Sequence, residues 1–218
     1  MSTLLAGAAA HNAGRYGVAR TIWTGSAPVA IDSDGVDGAA DDTEDTDTAD
    51  DSRLLDGLAA FAAAVTESRR GNWAAALDAA SEAEQVLGAV DDARIDLHPI
   101  ERWLTAFGSD PAVAERSPPP TLTVDGDRPT PGELPLSSAA VVAGAVAAAA
   151  GDDSDVIADA LRFAAEDEHP ETTRYATFVR DYAAADPSDR PIISDRLSAV
   201  VAQQRRKEED VEGLFDGS

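Results

Sequence analysis

Histidine and carboxylate are the side chains in this sequence that could move protons or hold a metal, and the histidines are few and scattered. His11, His98 and His169 lie far apart, and no His-Glu-x-x-His spacing joins any two of them. His11 with Glu67, Glu82 or Glu84 on facing helices would form a cluster able to bind a divalent metal or activate a water. That would be the chemistry of a hydrolase or metal-dependent enzyme. The plainer reading of each histidine is a hydrogen-bonded or surface imidazole. His98 stands before Pro99 at a helix entrance, with Asp96 placed to cap that helix, and His169 lies in the loop Asp167-Glu168-His169-Pro170. Cysteine is absent, which excludes disulfides, thiolate nucleophiles, Cys-ligated zinc and iron–sulfur clusters. There is no Gly-x-Ser-x-Gly elbow, no Gly-x-x-x-x-Gly-Lys-Ser/Thr phosphate loop and no Gly-x-Gly-x-x-Gly fingerprint. No catalytic residue, bound metal or cofactor is expected.

Arginine offers a different chemistry. Arg69 and Arg70 end an apolar helix, where a cation suits the helix dipole. Arg15 sits in a glycine turn, and Arg20 follows it by five residues. Arg15, Arg20 and Arg70 are the candidate contacts for an anion or for a carboxylate of a partner protein; ordinary salt pairing to nearby acids is the competing reading. The one dense basic run, Arg205-Arg206-Lys207, is followed at once by Glu208-Glu209-Asp210, so on a helix it compensates itself. The 41 acidic residues against 17 basic ones give a formal net charge of -24. Nucleic acid, which needs a basic surface, is not an expected partner. Neither is a membrane: the apolar run Ala139 to Ala150 is shorter than the roughly 20 residues that span a bilayer. The N terminus lacks the basic region of a signal peptide and reads as a helix.

The charge points to the solvent the chain works in. Such repulsion is costly in dilute buffer and fades in molar salt, where the Debye length is about 3 Å. Lys207 is the only lysine, and alanine dominates the apolar share. Together these features suggest a soluble protein of a salty cytoplasm. Aromatic residues make up 5% of the chain, so its cores must be close helix contacts between small side chains. Alanine is the best helix former, which sets the expected class as all-α.

The elements follow from period and punctuation. Residues 3 to 24 read either as one helix or as two divided at Ala13–Gly14. Residues 32 to 51 hold ten acidic and no basic residues, and 30–51 read as a disordered acidic loop, with Ser52 placed to cap the helix that follows. Calcium binding there is the alternative, although the full EF-hand spacing is missing. Leu54, Leu55, Leu58, Phe61, Ala62 and Val65 form the stripe of a helix over 52–70. A turn at Gly71–Asn72 joins it to a helix over 73–87, giving an antiparallel hairpin. Leu97, Ile100, Trp103, Leu104 and Phe107 mark a short helix, and Pro111 opens a further turn through Glu115. Six prolines fall within 117–135, which reads as a linker or extended strap; Thr121 to Val124 alternates like a strand without a partner. Four helices are expected beyond it, over 137–150 with Ser137 or Ser138 as cap, 155–167, 171–184 and about 191–211. The residues from Gly213 to Ser218 should fray. The expected organisation is a helical bundle at 1–116, the linker at 117–135 and a second helical region at 136–213.

Two short stretches echo each other. Gly14-Arg15-Tyr16-Gly17-Val18-Ala19 and Gly71-Asn72-Trp73-Ala74-Ala75-Ala76 both read Gly-x-aromatic-x-x-Ala. The glycine permits a tight turn, the aromatic covers the hairpin base, and the alanine allows close approach one turn later. A separation of 57 residues excludes a regular 34-residue solenoid and favours two related hairpins. With Asn12-Ala13, Trp23, Leu54-Leu55, Gly57-Leu58 and Arg69-Arg70, these residues resemble the domain-of-unknown-function family numbered 309 over roughly 3–105. The closing Arg-Arg-Lys-Glu-Glu-Asp-Val-Glu-Gly-Leu-Phe is similar to haloarchaeal members. The resemblance implies a small helical bundle and supplies no activity. Where many relatives have Glu-Ala-His-Glu, this chain has Val18, Ala19, Arg20 and Thr21, and Thr66-Glu67 replaces an aromatic–His pair. The expected function is a non-catalytic helical protein acting as an interaction scaffold, with an unidentified protein partner.

Overall fold

A computed structural model describes residues 1–26, 44–90 and 94–215. Among them are ten α-helices and no β-strand: α1 (Ser2–Asn12), α2 (Tyr16–Trp23), α3 (Glu44–Arg69), α4 (Trp73–Leu87), α5 (His98–Ser109), α6 (Val113–Arg116), α7 (Leu136–Ala150), α8 (Asp155–Ala165), α9 (Arg174–Ala184) and α10 (Arg190–Phe215). The all-α class and the hairpin construction hold. Helices α3 and α4 form the most extensive pair, α1 packs on α2, and α2 packs on α3.

The two echoed turns have one backbone design. Gly14 and Gly71 both adopt φ of 75°, in the left-handed region that glycine enters without Cβ strain. In the first turn the Arg15 N–H donates to Ala10 and the Gly14 N–H to His11. In the second, Asn72 donates to Glu67 and Gly71 to Ser68. This is the same Schellman pattern twice, satisfying the last carbonyls of α1 and of α3. Ala19 and Ala76, one turn on, are both fully buried, so the neighbouring backbone can come close. Gly14 therefore divides residues 3–24 into two helices.

Helix α3 begins at Glu44, earlier than the expected loop boundary. Residues 44–51 are helical, Ser52 lies inside the helix rather than capping it, and residues 30–43 lie outside the described residues. Acidic residues suit a helix N terminus, where they face its positive dipole end. Arg53 pairs with Asp50, and Arg94 reaches back to Asp51. Helix α10 likewise runs on to Phe215, past the expected fraying point at Gly213.

The core is continuous from α1 to α10 and rich in alanine. Large side chains gather where α3 meets α5. Phe61 lies edge-on to Trp103, and Trp103 stacks on Phe107 with ring centroids 4.9 Å apart. Helix α7 is buried along most of its length, against α1, α2 and α9. Its cap is neither Ser137 nor Ser138. The carboxylate of Glu171 accepts from the Leu136 N–H at 3.0 and 3.1 Å, and Arg180 holds that carboxylate in place.

The stretch 117–135 lies along α1. Val124 makes isolated bridges to Ile95 and Asp127, which give the alternating piece its partners without building a strand. Leu122, Val124 and Leu134 enter the core. Asn12 and His11 at the end of α1 bind the backbone of this stretch.

Candidate functional site

The histidine-centred constellation is not assembled. His11 is 2% exposed and sits among rings: Tyr16 at 4.8 Å edge-on, Phe61 at 5.3 Å and Trp23 at 6.3 Å between centroids. Its Nε2 lies 3.0 Å from the Pro120 carbonyl. A carbonyl only accepts, so the neutral ring carries its proton on Nε2. Nδ1 is buried and has no partner. Burial therefore pulls the His11 pKa from 6.5 down to about 4, against the opposing pull of the Pro120 carbonyl. Glu67 is bound elsewhere, accepting from Arg70 at 2.8 Å and from Asn72 at 3.0 Å. Glu84 accepts from Thr105, and Glu82 lies in a groove with Arg20. The alternative of a metal or hydrolytic cluster of His11 with Glu67, Glu82 or Glu84 is thus corrected: aromatic packing and local pairing hold these side chains in separate surroundings. Among the described residues no group of three His, Asp or Glu side chains converges as a metal site. No helix among them is long and apolar enough to cross a membrane.

His98 is exposed at the start of α5, with the Asp96 carboxylate accepting from its backbone N–H at 3.1 Å. His169 is exposed before α9, where its backbone binds Asp167.

The arginines are brought together. The turn between α1 and α2, the C-terminal end of α3, one face of α7 and the connection from α9 to α10 enclose an open cavity of about 530 Å³. Arg15, Arg69, Arg70 and Arg190 line it, with Asp186 as the one acid. Two of the three expected contacts, Arg15 and Arg70, are here. Arg20 is not; it lies on α2 in a separate groove with Thr24, Asp56 and Glu82.

Each arginine has a distinct setting. Arg15 is half-buried, and its guanidinium donates to the carbonyls of Ala183, Ala184 (2.9 Å) and Ala185 (2.6 Å). It thereby caps the negative end of α9. Burial, followed by the nearby Arg190, holds its pKa below the usual arginine value, and Asp186 opposes this. Arg70 pairs with Glu67, whereas Arg69 lies over the Tyr16 ring, 4.9 Å from its centroid. The Nε of Arg190 is buried and unpartnered. Neither Arg69 nor Arg190 forms an ion pair among the described residues.

No family model matches the chain, and neither a curated protein nor a solved structure matches it.

Arg190 escaped the sequence reading. It stands 120 residues from Arg70 and shares no spacing with the others; only the packing of the α9–α10 connection against the α1–α2 turn brings it in. Asn12 was legible only as part of a resemblance, and its role in fixing the 117–135 stretch is tertiary.

Proposed function

We propose that this chain is a non-catalytic helical interaction scaffold of a high-salt cytoplasm, which engages its protein partner by taking an anionic group into the arginine-lined cavity. The observation that carries the reading is the state of Arg69 and Arg190. Acids outnumber bases 41 to 17, yet two arginines facing one cavity lack a carboxylate among the described residues. Two unmatched cations at a concave surface give an anion both charge and directed N–H donors. The bundle at 1–116 supplies Arg15, Arg69 and Arg70, and the helices of 136–213 supply Arg190 with the apolar walls Val146 and Ala149.

The high-salt setting is supported by the net charge of -24 and the single lysine. A relationship to the unknown-function family numbered 309 is supported by the residues of the repeated turn, Gly14-Arg15-Tyr16 and Gly71-Asn72-Trp73, and its haloarchaeal branch by the closing run from Arg205 to Phe215. Under this reading Arg15 has a positioning role, since its donors already hold the end of α9.

Calorimetric titration of the full chain with small organic anions tests the proposal. Saturable binding of one anion per chain is expected, lost in the double variant Arg69→Gln, Arg190→Gln at unchanged melting temperature. Binding that is absent, or equal in the double variant, overturns it.

A further inference from the structure

Resting on the anion-binding reading, we infer that the cavity is built for a phosphomonoester, a dianionic phosphate carried on an apolar body.

Charge separates this from a simple carboxylate. Glu67 neutralises Arg70. Of the remaining charges facing the cavity, Arg15, Arg69 and Arg190 are opposed by Asp186 alone. About two positive charges are left over, and a phosphomonoester above its second pKa of about 6 supplies two negative ones. A carboxylate supplies one.

Backbone geometry points the same way. The first turn of α2, Tyr16 to Val18, lines the cavity, and no side chain caps that helix. Its N–H groups and its positive dipole end are what phosphate oxygens accept from. Arg15 precedes the first residue of α2, and Arg190 begins α10. A cation at a helix N terminus opposes its dipole, as Arg190 does at α10, whereas the Arg15 guanidinium is held by the carbonyls at the end of α9. Arg15 and Arg190 also repel each other, which adds to burial in holding the Arg15 pKa below the usual arginine value, against Asp186. Asp186 is the one acid lining the cavity beside these cations, and a bound dianion would balance the remainder. Gly17 keeps the approach open, because a Cβ there would meet nothing within 4 Å. The walls away from the charges are apolar, formed by Val18, Val146, Ala149 and Pro187. A cavity of about 530 Å³ is larger than bare phosphate needs, so the phosphate should carry a body the size of an aromatic ring.

The probes are phenyl phosphate, inorganic phosphate and benzoate, titrated calorimetrically into the full chain in 2 M potassium chloride. Phenyl phosphate should bind about tenfold or more tightly than either of the other two. Its affinity should fall about tenfold from pH 7.5 to pH 5 as the phosphate gains its second proton. The charged or titratable side chains facing the cavity are the four arginines, Asp186 and Tyr16. His11 behind Tyr16 stays neutral across that pH range, with its pKa at about 4. Arg190→Gln should weaken phenyl phosphate binding about tenfold or more. Gly17→Glu should abolish binding while raising the melting temperature, because it supplies an internal anion to the helix end and the arginines. That rise separates a filled site from a misfolded one. Benzoate binding as tightly as phenyl phosphate, with no pH dependence, overturns the phosphate assignment and leaves the anion reading standing. If no probe binds, both fall. Phenyl phosphate binding that Arg190→Gln and Gly17→Glu leave intact places the phosphate elsewhere and overturns the inference.

Discussion

Asn12 and Leu122, 110 residues apart, exchange a reciprocal pair of hydrogen bonds: the Leu122 N–H donates to Asn12 Oδ1 at 2.8 Å, and Asn12 Nδ2 donates to the Leu122 carbonyl at 2.9 Å. The second Nδ2 proton reaches the Pro129 carbonyl at 3.1 Å. One amide thus satisfies three backbone groups of the 117–135 stretch, as a neighbouring strand would.

Asn12→Ala should therefore cost about 2 to 4 kcal/mol, because it leaves partly buried backbone groups without partners. Asn12→Asp should also destabilise, since a carboxylate can accept from Leu122 but cannot donate to either carbonyl. Urea unfolding checks both. A loss under about 0.5 kcal/mol for Asn12→Ala, the scatter of ordinary surface changes, would show that the stretch is held by other contacts.

His11 makes stability depend on pH. Its folded pKa lies below its unfolded one, about 4 against 6.5. The unfolded chain binds the extra proton first, so this contribution is complete above pH 6.5 and is lost as pH falls toward 4. The loss attributable to this one group is about 3 kcal/mol. Carboxylates add their own acid sensitivity, so the test is a difference. His11→Phe should show a smaller fall in stability between pH 6.5 and 4.5 than the native chain, and parallel curves would refute the assignment.

Gly7 and Gly17 should respond in opposite ways to the same substitution. A Cβ on Gly7 would lie 2.1 Å from Trp23 Nε1, in the contact between α1 and α2. Gly7→Ala should cost about 2 kcal/mol through overpacking, net of the helix propensity it gains. Gly17→Ala meets open space and should be neutral or stabilise by up to about 1 kcal/mol. Thermal melts of the two variants side by side decide this, and equal shifts would contradict the packing.

Salt should stabilise the fold. With a net charge of -24, self-repulsion is strong in dilute buffer and is screened as the Debye length shrinks from about 10 Å at 0.1 M to about 3 Å at 1 M. The melting temperature is expected to climb between 0.1 and 2 M potassium chloride. A flat profile would remove the argument for a high-salt interior.

Much of the helical architecture is written locally. The stripes Leu54–Leu58–Phe61–Val65 and Ile100–Trp103–Leu104–Phe107 specify their helices and buried faces, and both are in the core. The echoed glycine turns specify two hairpins, because left-handed φ and the carbonyls of a helix end are properties of a few consecutive residues. Composition excludes thiol chemistry outright. Composition alone does not place the start of α3 at Glu44, because an acidic run suits a solvated loop and a helix N terminus equally.

What only the tertiary structure decided depends on contacts between distant residues. Nothing near Leu136 in the sequence says that Glu171 caps it. Nothing near His11 says that it is buried among Tyr16, Trp23 and Phe61 rather than facing Glu67, since a helix period fixes a face and not its neighbour. The arginine cavity is of the same kind. Arg15 and Arg70 stood out through their turns, but Arg190 joins them only because α7, α9 and the α9–α10 connection close against the first hairpins.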